Sequence, residues 1–172
     1  MIHPYKIPKE KMPLIVLSDH TSGFVQWAIK FRTQAAYNHI MLQLFPGEFV
    51  SQGNTFSAVP LERYVKKNSR LKYWIIKDIK ECEINRIGQM VHADLRGSWW
   101  SKKYDYTGII GQLLGLKKFN FPGKMYCSER VARYLYQLEG FENVPRHGSP
   151  KDLNEYFKGH PRMEVYGRWA AD

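Results

Sequence analysis

The sequence predicts an α+β fold, and three observations predict it. Short runs rich in β-branched and aromatic residues, such as LIVLS from Leu14 and LKYWIIKDI from Leu71, have the composition of strands. Other segments repeat apolar residues at helical spacing, Ile84, Ile87, Val91 and Leu95 most clearly. The two kinds of segment are mixed in order but do not alternate regularly as in a parallel βαβ protein. With 172 residues and no internal repeat or low-complexity linker, the chain reads as one domain over residues 1–172, its core within about 13–140.

The elements follow in order. PLIVLS, from Pro13 to Ser18, is an apolar run with a turn-like SDHTSG after it and is expected as a buried strand. Behind a Ser22 cap, Phe24, Trp27, Ala28 and Phe31 recur at helical spacing. YNHIMLQLF and EFVSQ flank Pro46-Gly47, the signature of a β-hairpin. SAVPLERYV reads as a loop with a short helical turn, and LKYWIIKDI as the next strand. The amphipathic helix through Ile84 and Leu95 ends near Gly97.

A long stretch from Ser98 to Lys124 comes next, with Trp99, Trp100, Tyr104 and Tyr106 in its first part and GIIGQLLGL as a short buried helix weakened by its glycines. In CSERVARYLYQLEGF the residues Cys127, Val131, Tyr134, Leu135 and Leu138 share one helical face, and Gly140 is the expected stop. A short helix near Asp152 to Phe157 and a strand RMEVYG complete the chain.

Composition restricts function. The chain is 44% hydrophobic and 15% aromatic, which argues against disorder, and no stretch approaches the ~20 apolar residues of a membrane span. MIHPYKIPKEKMP lacks the form of a secretory signal, so the expectation is a soluble chain made in the cytoplasm. A net charge of +10 implies attraction to polyanions, whether nucleic acid, anionic lipid or cell-wall polymer. Part of it clusters at Lys66, Lys67 and Arg70, and part at Lys102, Lys103, Lys117 and Lys118. No helix-turn-helix, RRM or zinc-finger pattern accompanies the charge, so nucleic acid is not an obligatory partner. The two cysteines, Cys82 and Cys127, have neither disulfide-framework nor zinc spacing, and no metal or cofactor is expected.

Chemistry therefore centres on one cysteine. Cys127 opens a predicted helix after Pro122-Gly123, where unpaired backbone N–H groups favour a thiolate and can hold an oxyanion. The plain alternative is a small buried hydrophobe. Cys82 lies between Glu81 and Glu83, whose charges oppose a thiolate. His39 stands in an otherwise apolar strand. His20 and His147, in loops, remain open by pattern, whereas His3, His92 and His160 have surface settings. With a two-residue turn at Pro46-Gly47, Met41 faces Gln52, and His39, Met41 and Gln52 share a face. Gln52 would then orient the His39 ring as the third member of a triad. Ser51 would point away, unless a one-residue bulge reverses the choice.

The pieces IVLSD with GFVQWAIKF, YNHIMLQL, EFVSQG before VPLERY, KKYDY after an amphipathic helix, and YCSERVARYL span Leu14 to Leu138. In this order they resemble the YiiX-like branch of the circularly permuted NlpC-type papain-like cysteine hydrolases. The resemblance implies a permuted papain-like fold, a small antiparallel sheet or half-barrel packed against helices, with the histidine preceding the cysteine. It implies Cys127 as nucleophile, His39 as base and a polar third residue around Ser51 and Gln52. Members often carry an acidic residue there, and a Gly-Asp opening the first strand. Here neither is present, and Met12-Pro13 stands at the second place. The expected activity is hydrolysis of an amide bond in peptidoglycan or another peptide. The alternatives are a lipid-directed, thioester-forming hydrolase or acyltransferase on the same fold, and a basic nucleic-acid-binding protein without catalysis. The substrate would be peptide or lipid-like, on an anionic polymer or membrane surface, with Tyr104, Tyr106, Trp99 and Trp100 as candidates for the cleft wall.

Overall fold

The computed structural model describes residues 2–19, 35–103, 105 and 125–171. Six strands form one sheet: β1 (Leu14–Ser18), β2 (His39–Phe45), β3 (Glu48–Gln52), β4 (Phe56–Pro60), β5 (Arg70–Ile76) and β6 (Met163–Ala170). Their spatial order is β4-β3-β2-β1-β5-β6, and every neighbouring pair is antiparallel. The helices are α1 (Glu81–Arg96), the short α2 (Trp99–Lys102), α3 (Cys127–Leu135) and α4 (Pro150–Gly159). The α+β class is thus observed. The helix expected behind Ser22 and the segment GIIGQLLGL lie outside the described residues, as do His20, Tyr104 and Tyr106.

Pleating divides the core. Ile15, Leu17, Ile40, Leu42, Val50, Trp74 and Ile76 point to one side, where α1, α3 and α4 supply Ile87, Val91, Val131, Tyr134, Leu135, Leu153 and Phe157. Their neighbours in sequence, Leu14, Val16, Met41, Phe49, Leu71 and Tyr73, turn to the other side. There Ile7, Met12, Leu61, Tyr64 and Trp169 cover them. Burial on both faces explains why β1 reads as an unbroken apolar run rather than an alternating one.

The hairpin forms where expected, with Gly47 at φ +82°, in the left-handed region that glycine adopts without cost. Two expectations are corrected. Ser57–Pro60, read as loop, belong to edge strand β4, because the ladder with β3 pairs Ser51 with Ser57 and Gln52 with Phe56; the expected short helical turn is the 3₁₀ turn Leu61–Arg63. Helix α3 stops at Leu135, short of Gly140. The N–H groups of Gln137 and Leu138 bond to the carbonyls of Tyr134 and Leu135 in tight i→i+3 turns, which end the helix and still bury Leu138.

The helices are joined to one another by buried charge. Asp94, near the end of α1, accepts from Arg130 Nη1 at 2.8 Å, from Arg133 Nη1 at 3.0 Å and from the Tyr134 hydroxyl at 2.7 Å. Arg130 continues to the carbonyl of Ser101 at 3.0 Å and lies over the Phe56 ring. One guanidinium therefore fixes α3 against α1, α2 and β4.

Candidate functional site

His39 is the first residue of β2 and pairs with Ser18 of β1. Its ring is buried, with Nε2 2.7 Å from Ser51 Oγ and 3.2 Å from the Tyr64 hydroxyl. Ser51 and Tyr64 bond each other at 2.8 Å, which closes a triangle of three polar groups. The Tyr64 ring lies nearly parallel to the imidazole, 5.7 Å between centroids and 12° between planes. Stacking and hydrogen bonding together fix the ring's orientation.

Ser51, not Gln52, meets the His39 ring, so the expectation that Gln52 would hold it is corrected. The register between β2 and β3 shifts between Phe45, which faces Glu48, and Leu42, which faces Val50. Continued toward His39, the shifted register sets Ser51, not Gln52, opposite Met41. One irregular step reverses which side of the sheet each residue faces. Gln52 instead donates its amide to the carbonyl of Lys102 at 2.9 Å.

Cys127 opens α3 and is 2% exposed, packed in the helix-side core. At a helix start the first amides have no intrahelical acceptor, so the partial positive charge favours a thiolate. Burial pushes the Tyr64 phenol above the ordinary value, the Ser51 hydrogen bond and Arg63 pull it down, and the charge of Cys127 pushes it up again. Tyr64 touches His39, and with its pKa raised it remains a neutral hydroxyl at physiological pH.

Acidic groups surround the start of α3. The Glu129 carboxylate accepts from the Tyr126 N–H at 3.3 Å and meets His147 Nδ1 at 2.6 Å. Burial raises the Glu129 pKa, against the lowering effects of His147 and the Tyr126 N–H. Asp105 is fully buried, its N–H bonded to the carbonyl of Met125, and its charge helps to raise both Tyr126 and Glu129. Tyr64, Asp105 and the His147–Glu129 pair were not singled out as site residues from the sequence. Tyr64 and Asp105 lie in the motifs VPLERY and KKYDY, and that was the only signal for them.

Of the four aromatics expected to wall a cleft, Tyr104 and Tyr106 are outside the described residues. Trp99 and Trp100 are 63% and 49% exposed on α2. Cys82 is exposed at the start of α1. A separate groove of about 910 Å³ runs between α1 and the strands β2–β4, lined by residues such as Met12, Leu44, Val50, Ile84 and Leu95; neither Cys127 nor His39 lines it. Among the described residues no cluster of His, Cys, Asp and Glu is arranged to hold a metal ion.

The arrangement provides a thiol at a helix N-terminus and an imidazole whose Nε2 is held by a serine. In the tautomer that donates Nε2–H to Ser51, Nδ1 is the basic nitrogen. No protein-family model matches this chain, and no curated protein matches it.

Proposed function

We propose that this chain is a cysteine hydrolase of circularly permuted papain-like design that cleaves an amide bond, in peptidoglycan or another peptide, through a Cys127 acyl-enzyme. The observation that carries this reading is the buried triangle of His39, Ser51 and Tyr64, whose first two members lie on β2 and β3, the strands against which the helix opened by Cys127 packs.

In this reading His39 Nδ1 takes the thiol proton, and the thiolate attacks the carbonyl carbon. The imidazolium shares its Nε2–H with Ser51 Oγ, and Ser51 passes its own hydrogen bond to Tyr64. The backbone N–H of Cys127 stabilises the oxyanion of the tetrahedral intermediate. His39 then protonates the leaving amine, and water, deprotonated by the same nitrogen, releases the acyl group. Two neutral hydroxyls stabilise the imidazolium less than a carboxylate does, so the ion pair is weaker than in a Cys-His-Asp site.

The test needs no substrate. Iodoacetamide alkylation of Cys127 and Cys82 is followed by peptide mapping from pH 5 to 9, in the wild type and in His39→Ala. Cys127 is expected to react well below the reference thiol pKa of ~8.5, with the advantage lost in the variant. Exposed Cys82 serves as the internal reference. An inert Cys127, or one indifferent to His39, would sink the hydrolase reading. A salt-sensitive preference for DNA or RNA over other polyanions would then favour nucleic-acid binding, to which the +10 charge is suited.

A further inference from the structure

Lys72 places a positive charge in the interior of the fold, bonded to neutral groups and facing further cations. Its neighbours in sequence, Leu71 and Tyr73, turn to one face of β5, so the lysine side chain joins Trp74 on the face that α4 covers. Lys72 is 4% exposed. Its ammonium donates to Asn154 Oδ1 of α4 at 3.0 Å and lies 4.1 Å from the centroid of the Trp74 ring. Neither partner carries a charge. Glu155, whose charge favours the ammonium, is exposed and bonded to Lys158 at 2.7 Å.

The cations come from two other elements. The β5–β6 ladder sets Arg168 directly opposite Lys72. Residues so opposed share a face, and like charges there destabilise the pair. Lys158 stands one turn beyond Asn154 on α4. Burial chiefly, then Arg168 and Lys158, lower the Lys72 pKa to about 8 against the raising effect of Glu155. Free amine is therefore present near neutral pH, as it is not for an ordinary lysine of pKa ~10.4.

Beside this amine a buried donor lacks its acceptor. The Trp74 indole N–H belongs to the ring that Lys72 overlies, and among the described residues it meets no hydrogen-bond acceptor. Buried donors are nearly always paired. One chemical change at Nζ answers both features. A carboxylate there would accept from the indole and turn the repulsive cross-strand pair with Arg168 into an attractive one.

We propose that Lys72 is a site of reversible carbamylation by carbon dioxide. The Nζ lone pair attacks the carbon, one C=O π pair moves onto oxygen, and the nitrogen gives up a proton to water. The carbamate nitrogen keeps one N–H for Asn154 Oδ1, and the two oxygens carry the negative charge toward the indole N–H and Arg168. Carbon dioxide fits the position because it is small and uncharged and loses little hydration on entering an enclosed site. A preformed phosphate or carboxylate would leave most of its hydration behind. Cys127 and His39 take no part, so the proposal stands apart from the hydrolase reading.

The experiment is NMR of the full chain, labelled with the heavy nitrogen isotope at lysine Nζ, in bicarbonate enriched in the heavy carbon isotope at about pH 8. A carbamate carbon is split by its bonded nitrogen, which separates it from bicarbonate held by charge alone. The expected result is one split resonance, at least about tenfold stronger than that of any other lysine and absent in Lys72→Arg. Trp74→Phe keeps an aromatic ring and removes the N–H, and Arg168→Glu, at an exposed position, reverses the charge that the carbamate faces. Each is expected to lower the yield about tenfold. The absence of a split resonance overturns the proposal, as does one that survives Lys72→Arg. A resonance that neither Trp74→Phe nor Arg168→Glu weakens overturns it too, since that is ordinary amine reactivity. Bicarbonate bound without splitting replaces it with a non-covalent anion site.

Discussion

His39 Nε2 lies 2.7 Å from Ser51 Oγ, a contact made across the β2–β3 hairpin only because the ladder slips between Leu42 and Phe45. The slip exchanges the roles of two adjacent residues. Ser51 orients the imidazole, and Gln52 ties the sheet to the carbonyl of Lys102.

Replacing these two residues should separate their roles. Ser51→Ala removes the group that holds the His39 tautomer and is expected to slow Cys127 alkylation near neutral pH by about tenfold to a hundredfold. Gln52→Ala is expected to leave that rate within about twofold and to lower the melting temperature, through loss of a hydrogen bond worth about 1 kcal/mol. Rates by peptide mapping and melting by circular dichroism check both. The opposite pattern would return the orienting role to Gln52.

Tyr64→Phe keeps the ring stacked on His39 and deletes only the hydroxyl. Ser51 loses its second partner, so stability is expected to fall by about 1–3 kcal/mol. The alkylation rate is expected to fall less than in Ser51→Ala, since the 2.7 Å bond to Nε2 survives while the 3.2 Å contact is lost. Urea unfolding and the same alkylation assay measure the two effects.

Asp94→Ala strands a buried guanidinium. The Arg130 and Asp94 side chains are almost wholly enclosed and bond at 2.8 Å. Removing the carboxylate leaves Arg130, Arg133 and Tyr134 without their common acceptor, and a loss of about 3–5 kcal/mol is expected in chemical denaturation. A loss below about 1 kcal/mol would mean that water replaces the carboxylate at little cost.

Glu83 gives the stability a defined acid limb. Hydrogen bonding to Arg162 chiefly, and to the N–H groups of Lys80 and Glu139, lowers its pKa to about 2 against the opposing effect of burial. A carboxylate depressed on folding adds stability above its unfolded pKa of ~4.5, and that stability is lost as the pH falls toward 2. The loss is expected to be about 2–3 kcal/mol, and Glu83→Gln should flatten that part of the curve. Glu129, raised by burial, acts with the opposite sign, so the difference between variant and wild type isolates Glu83. Urea midpoints at steps from pH 5 to 2.5 make the comparison.

Local pattern was sufficient wherever one element could be judged alone. The apolar run of β1, the Pro46-Gly47 hairpin, the face of α1 and the buried stripe from Cys127 to Leu138 depend on periodicity and turn chemistry within a few residues. Strand β4 was missed because FSAVP is a strand only by virtue of the edge that β3 offers, and no local alternation announces that pairing. The end of α3 was missed for a related reason: Leu138 stays buried after the helix has ended, so the apolar stripe outruns the helix.

The sequence by itself determined the class of fold, the position of Cys127 at a helix start and the presence of His39 in a buried strand. These follow from residue type and spacing along a single segment. Only the tertiary structure decided that Ser51 rather than Gln52 meets the imidazole, and that Tyr64 closes the triangle. It also placed Trp99 and Trp100 outward on a turn held by Arg130 and Gln52. The reason is geometric. A one-residue change of register reverses every side chain beyond it, and contacts between residues 13 and 25 positions apart depend on how separate elements pack.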